Sequence, residues 1–184
     1  MSQSQVLSFP QFAVEREWAR NAVTVLLASG LICCFAPLAI RLPFTEVPIA
    51  TQCHVMLLMG ALLGGKRGAL AVIAFLFEVA AGLPVLSSGR VGLMAFVGPT
   101  GGYLIGSVVG AYLTGTLIEK MKERTAAKTF GALVVGNLAM YLFGYAHLAS
   151  LIGASKAFLL GIAPFIAGDL LKSVFCVRIL RSFK

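Results

Sequence analysis

The chain has 184 residues, 59% of them hydrophobic and only 12% charged, with a formal net charge of +8 at pH 7. A water-soluble domain of that composition would expose far more apolar surface than water tolerates. The charges fall in short clusters between long uncharged runs, which excludes a soluble globule and predicts an all-α, polytopic membrane protein.

Residues 1–20 carry Glu15, Arg16, Glu17 and Arg20 and no apolar core, so they read as a cytoplasmic segment that is not a cleaved signal. Residues 21–184 then form a single transmembrane domain. Six stretches within it approach the roughly 17–25 residues that cross a hydrocarbon core as a helix. They run over 21–40, 49–65, 69–85, 98–118, 129–149 and 157–177. The second and third are short, and the basic turn Lys66-Arg67-Gly68 joins them as a helical hairpin.

Basic residues near span ends are retained on the cytoplasmic side. Arg16 and Arg20, Lys66 and Arg67, Lys120, Lys122, Arg124 and Lys128, and Arg178, Arg181 and Lys184 all fall on one side. The other side holds Arg41, Arg90 and Lys156. The asymmetry predicts six helices with both termini in the cytoplasm. It also accounts for the positive charge without nucleic acid, since no nucleic-acid-binding motif accompanies the basic residues.

Gly98, Gly102, Gly106 and Gly110 recur every four residues along the fourth stretch, and Thr114 continues the series. A smooth helical face of this kind admits a neighbouring backbone at close range. Neither Gly98-Pro99-Thr100-Gly101-Gly102 nor Gly64-Gly65-Lys66-Arg67-Gly68 has the spacing of a phosphate-cradling P-loop, so any ATP is expected to be used by another chain. Cys33, Cys34, Cys53 and Cys176 fall within spans at spacings that predict neither a disulfide nor a metal site. His54 and His147 are isolated and read as hydrogen-bonded packing residues.

Polar groups held inside a membrane are the candidates for function, since a charge at mid-helix costs about 2.5–3.5 kcal/mol on insertion scales. Asp169 and Lys172 lie three positions apart in the sixth stretch, where they share a face and can pair, structurally or around a ligand. Arg90, in the outer loop Ser87-Ser88-Gly89-Arg90, is placed to meet an entering anion or a lipid headgroup. Glu78 lies in the third stretch without a local partner; pairing with Lys172 or Arg90 and acceptance of a ligand N–H are both open to it. Gln52, Tyr103, Asn137 and Tyr141 are neutral candidates that equally suit hydrogen bonding between helices.

Five segments carry a family likeness: Leu42-Pro43-Phe44-Thr45-Glu46-Val47-Pro48-Ile49-Ala50-Thr51-Gln52, Leu63-Gly64-Gly65-Lys66-Arg67-Gly68, Gly82-Leu83-Pro84-Val85, Gly98-Pro99-Thr100-Gly101-Gly102-Tyr103-Leu104-Ile105-Gly106 and Pro164-Phe165-Ile166-Ala167-Gly168-Asp169-Leu170-Leu171-Lys172. In this order they resemble the BioY family, the biotin-binding S components of energy-coupling factor (ECF) transporters. The resemblance implies the six-helix S-component fold in a bacterial plasma membrane. It also implies biotin capture from outside by Asp169 and Lys172, with Arg90 a second contact for an anionic or carbonyl oxygen. Biotin is then the transported ligand, no cofactor is expected, and a transmembrane coupling subunit and ATPases are the implied partners. Small residues of the first stretch, Ser29 with Cys33 or Gly30 with Cys34, are candidates for the docking face. The alternatives are an S component for another vitamin, solitary facilitative transport, a small-solute channel and a membrane-embedded transferase.

Overall fold

Proline and glycine divide this apolar chain into helices of very unequal length. The computed structural model describes residues 9–40, 49–86 and 91–182. Helix α1 (Phe9–Phe35) has 27 residues and starts inside the expected N-terminal segment. It stops short of residue 40 because Pro37 follows: proline donates no N–H and pushes the residue before it out of the helical region. Ala39–Ile40 (β1) and Ile49–Ala50 (β2) then pair antiparallel, with Ala39 opposite Ala50 and Ile40 opposite Ile49. Hydropathy alone runs these strands into the neighbouring spans.

Helices α2 (Gln52–Leu63) and α3 (Gly65–Ala80) meet at Gly64, whose φ of +85° suits glycine and strains other residues. Its N–H bonds the Gly60 carbonyl at 2.9 Å and its carbonyl accepts from Gly68 N–H at 2.9 Å, so one residue ends one helix and opens the next. The short α4 (Met94–Val97) precedes α5 (Gly101–Glu119). Helix α6 (Ala126–Ile152) starts at Thr125, whose hydroxyl accepts from the Lys128 N–H at 3.3 Å.

The stretch expected as one span over 157–177 is two helices, α7 (Ala154–Gly161) and α8 (Ile166–Ser182), bent by 45°. Pro164 lies in the break, where its missing N–H is least costly. The chain is all-α in class, but its spans are uneven. Residues 17–35 of α1, α5 and α6 are each long and apolar enough to cross a membrane, and α7 with α8 passes the same test as a bent pair. Helix α2 has 12 residues and α3 has 16, about 18 and 24 Å, each short of a hydrocarbon core of roughly 30 Å.

Helix α5 lies at the centre, packed against α2, α3 and α6. The four-residue glycine series faces α6, as the spacing predicts. A Cβ at Gly102 would overlap the Phe143 carbonyl; one at Gly106 would lie 2.9 Å from Phe143 Cβ, and one at Gly110 2.7 Å from the Gly136 carbonyl. Thr114 closes the row by donating to the Ala132 carbonyl at 3.3 Å. On another face of α5, a Cβ at Gly60 would overlap the Ala111 carbonyl, which brings α2 equally close. Ile32, Met56, Val72, Phe75 and Ala111 fill the main core between α1, α2, α3 and α5. Large apolar side chains such as Leu27, Phe77, Leu142 and Leu171 point outward, the arrangement that lipid rather than water favours.

The packing sets apart two glycines of the α5/α6 pair. Gly106→Ala forces a methyl against Met140 and Phe143 and is expected to destabilise by about 1–3 kcal/mol. Gly131→Ala adds the same methyl where nothing lies within 4 Å. Thermal unfolding in detergent should show a lower midpoint for the first variant and no lower midpoint for the second.

Candidate ligand-binding site

The break between α7 and α8 places Asp169 in the first turn of α8, where the positive end of the helix dipole favours an acid. Its N–H bonds the Phe165 carbonyl at 2.8 Å, continuing the helix, while its side chain points into the bundle with 11% exposure. Lys172 Nζ donates to Asp169 Oδ1 at 3.0 Å, the pairing that the three-residue spacing predicts. Tyr141 of α6 donates its hydroxyl to Asp169 Oδ2 at 2.5 Å. The carboxylate thus joins an ammonium of its own helix to a phenol of the next.

Beneath it lies His54 of α2, 2% exposed. Its Nε2 is 3.0 Å from the Asp169 backbone carbonyl and 3.3 Å from Ser173 Oγ, and the carbonyl also accepts from Ser173 at 2.7 Å. A carbonyl accepts only, so this contact assigns the proton to Nε2. Nδ1 is then an acceptor, 3.9 Å from Asp169 Oδ1 and without a hydrogen-bond partner among the described residues. The reading of His54 as a hydrogen-bonded packing residue fits these contacts, which hold the backbone of Asp169 rather than its carboxylate. His147, by contrast, bonds the Gly98 carbonyl at 3.1 Å, away from this cluster.

Cys53, Tyr103, Asn137, Met140, Tyr141, Phe165, Asp169 and Lys172 surround a cavity of about 30 Å³. Five of these, Tyr103, Asn137, Tyr141, Asp169 and Lys172, are candidates from the sequence; Cys53, Met140 and Phe165 are not. Tyr103 forms one wall: its ring packs against Gly144 and its hydroxyl donates to the Gly161 carbonyl at 2.7 Å, tying α5 to the end of α7. The wall combines a carboxylate, an ammonium, an amide and a phenol with aromatic and thioether surface, a set suited to a ligand with polar and apolar parts. Among the described residues, no three His, Cys, Asp or Glu side chains gather as a metal-ligand set.

The remaining candidates fall elsewhere. Gln52 is buried at the start of α2, one residue before Cys53, and does not line the cavity. Arg90 lies outside the described residues. For Glu78 the partners among the described residues are not Lys172 but two residues of α1. Its Oε1 accepts from Ser29 Oγ at 2.8 Å and its Oε2 from Cys33 Sγ at 2.8 Å, a tie between α3 and α1. Ser29 and Cys33 therefore face inward and do not form a docking surface, whereas Gly30 and Cys34 face outward.

Glu78→Gln replaces one of these two acceptors by a donor and should lower stability by about 1 kcal/mol. Because Glu78 shares no partner with Asp169, ligand affinity at the cavity should stay within about twofold of wild type. Unfolding midpoints and equilibrium binding on the same preparation separate the two effects.

With this geometry in view, the comparisons with known proteins are specific. The model of the BioY family matches residues 3–184. The chain is 39% identical over 165 residues to "Biotin transporter BioY" of Rhizobium etli, covering 84% of this chain and 88% of that protein. It is 41% identical over 172 residues to "Biotin transporter BioY" of Rhodobacter capsulatus, again covering 84% and 88%. Among solved structures it is similar to the "S-component for biotin from an ECF-type ABC transporter", with a TM-score of 0.82 at 28% identity over 91% of this chain and 92% of that one. The chain belongs to the BioY family.

Proposed function

We propose that this chain is the membrane-embedded biotin-binding subunit of an uptake system, an S component that captures biotin and delivers it across the plasma membrane. The observation that carries this reading is the Asp169–Lys172–Tyr141 cluster, built on a buried carboxylate near the start of α8, in a chain whose relatives are named biotin transporters. Biotin offers two ureido N–H donors and a carbonyl on an apolar bicycle, with a carboxylate at the end of its chain. A carboxylate has about four lone-pair directions, so Asp169 can accept a ureido N–H while keeping Lys172, which lies on its own helix. Lys172 supplies N–H donors for a carbonyl or carboxylate oxygen. Tyr103, Met140 and Phe165 supply the surface on which the bicycle rests.

A charge-assisted hydrogen bond contributes about 1.5–3 kcal/mol, more where water is excluded. Affinity alone, however, only concentrates a ligand on one protein. Uphill transport needs coupled energy, which this reading assigns to a separate transmembrane coupling subunit and ATPases. The basic ends of α5, α6 and α8 would face the cytoplasm, as retained Lys and Arg direct.

The cavity also has to change on binding. At about 30 Å³ it holds about one water molecule, whereas pockets for small organic ligands enclose roughly 300 Å³ or more. Helix α6, through Asn137, Met140 and Tyr141, and α8, through Asp169 and Lys172, form facing walls that must separate.

Two measurements test this. Labelled biotin should bind the detergent-purified wild type tightly, with riboflavin and thiamine failing to compete. Asp169→Asn and Lys172→Ala should each weaken binding by about tenfold or more. Full affinity in Asp169→Asn would remove Asp169 from the site, and a folded wild type that ignores biotin would remove the ligand. Spin labels at the lipid-facing Leu138 of α6 and Leu171 of α8 should report a longer interhelix distance with biotin than without; an unchanged distance would mean that side-chain rotation alone makes the room.

A further inference from the structure

At the basic end of the bundle, the last turns of α2, α5 and α8 and the start of α6 enclose a second cavity, of about 280 Å³. Arg181, in its wall, lies twelve residues beyond Asp169 on α8, about 18 Å along the helix. The cavity is therefore separate from the cluster described above. Arg124, Arg181 and Thr129 make its polar side, and Ala61, Leu62, Ile118 and Leu180 its apolar side. Both arginines are exposed, whereas Ile118 and Thr129 are buried. Arg124 also borders a shallower groove with Met121, Lys122, Glu123 and Thr125. The apolar wall does not end in the cavity: Leu62, one of its lining residues, is exposed, and Leu117, next to the lining residue Ile118, is exposed as well.

We infer that this cavity binds the phosphate headgroup of an anionic phospholipid, whose acyl chains run along Leu62 and Leu117. The Arg181 guanidinium fork matches the paired oxygens of a phosphate diester, Arg124 adds a second positive charge beside it, and basic pockets between helices at the cytoplasmic face are suited to anionic lipid headgroups. A soluble phosphate would satisfy the arginines but leave the apolar wall uncovered. A lipid covers both, because the cavity lies where the charged end of the bundle gives way to its lipid-facing flank.

The test is native mass spectrometry of the delipidated full chain titrated with phosphatidylglycerol, with phosphatidylcholine and inorganic phosphate as separate arms. Wild type should retain phosphatidylglycerol and not phosphatidylcholine, and millimolar phosphate should leave the bound lipid in place. Arg124→Gln with Arg181→Gln should lower the retained fraction about tenfold or more, from the loss of two basic contacts. Lys66→Gln with Arg67→Gln, equal in charge and at the same end but outside the cavity, should lower it by less than about threefold. Biotin binding at the distant cluster reports that each variant is folded. Should the double arginine variant not fold, Arg181→Lys decides, since it keeps the charge and loses the fork: retention should fall several-fold. Equal losses from the two pairs would overturn the site in favour of diffuse attraction. Displacement of the lipid by phosphate would reassign the cavity to a soluble anion, and unchanged retention in the arginine variants would remove it.

Discussion

A carboxylate enclosed in an apolar bundle is the constraint on which this end of the protein depends. Removing such a group from water costs several kcal/mol unless charges and donors replace the solvent. Asp169 receives Lys172 from its own helix and Tyr141 from α6, while His54 and Ser173 hold its backbone carbonyl. These partners come from α2, α6 and α8, so satisfying the side chain and backbone carbonyl of one residue fixes three helices relative to one another. The break at Pro164 sets the position, because it starts α8 three residues before the acid and leaves Asp169 near a helix terminus.

The central helix supplies the complementary condition. Helix α5 presents glycine to α6 and small residues to α2, and these let the backbones approach closely without large interlocking side chains. In a bilayer this matters more than apolarity, because lipid tails solvate leucine as well as a neighbouring helix does. The same helix carries Tyr103 beside Gly102 in its first turn, and the Tyr103 hydroxyl reaches the Gly161 carbonyl. Scaffold and site therefore share α5: its glycines set the distance to α6, and its tyrosine anchors the break that positions Asp169.

How much of this the sequence discloses depends on the range of the interaction. The membrane class, the basic asymmetry, the Asp169–Lys172 pair and the glycine face all arise from spacing within one segment, and all are legible. The ends of α1 and the division of α7 from α8 are less so, since hydropathy does not register that Pro37 and Pro164 interrupt a helix whose surroundings stay apolar. Least legible are contacts between distant segments. Glu78 finds Ser29 and Cys33, and His54 finds Asp169, across separations of 45 to 115 residues. No local pattern specifies those pairings, because they follow from which helices the glycine contacts bring side by side.

The shortness of α2 has a mechanical consequence. Cys53, near its start, lines the small cavity beside Asp169, and Ala61 and Leu62, near its end, line the large cavity at the basic end. Those positions are only about 14 Å apart along one continuous helix. At its lower end Gly64 ties it to α3, and one turn before that Gly60 lies against the Ala111 carbonyl. A single twelve-residue helix therefore supplies wall to both cavities, so a substitution that shifts it is felt at both ends of the bundle.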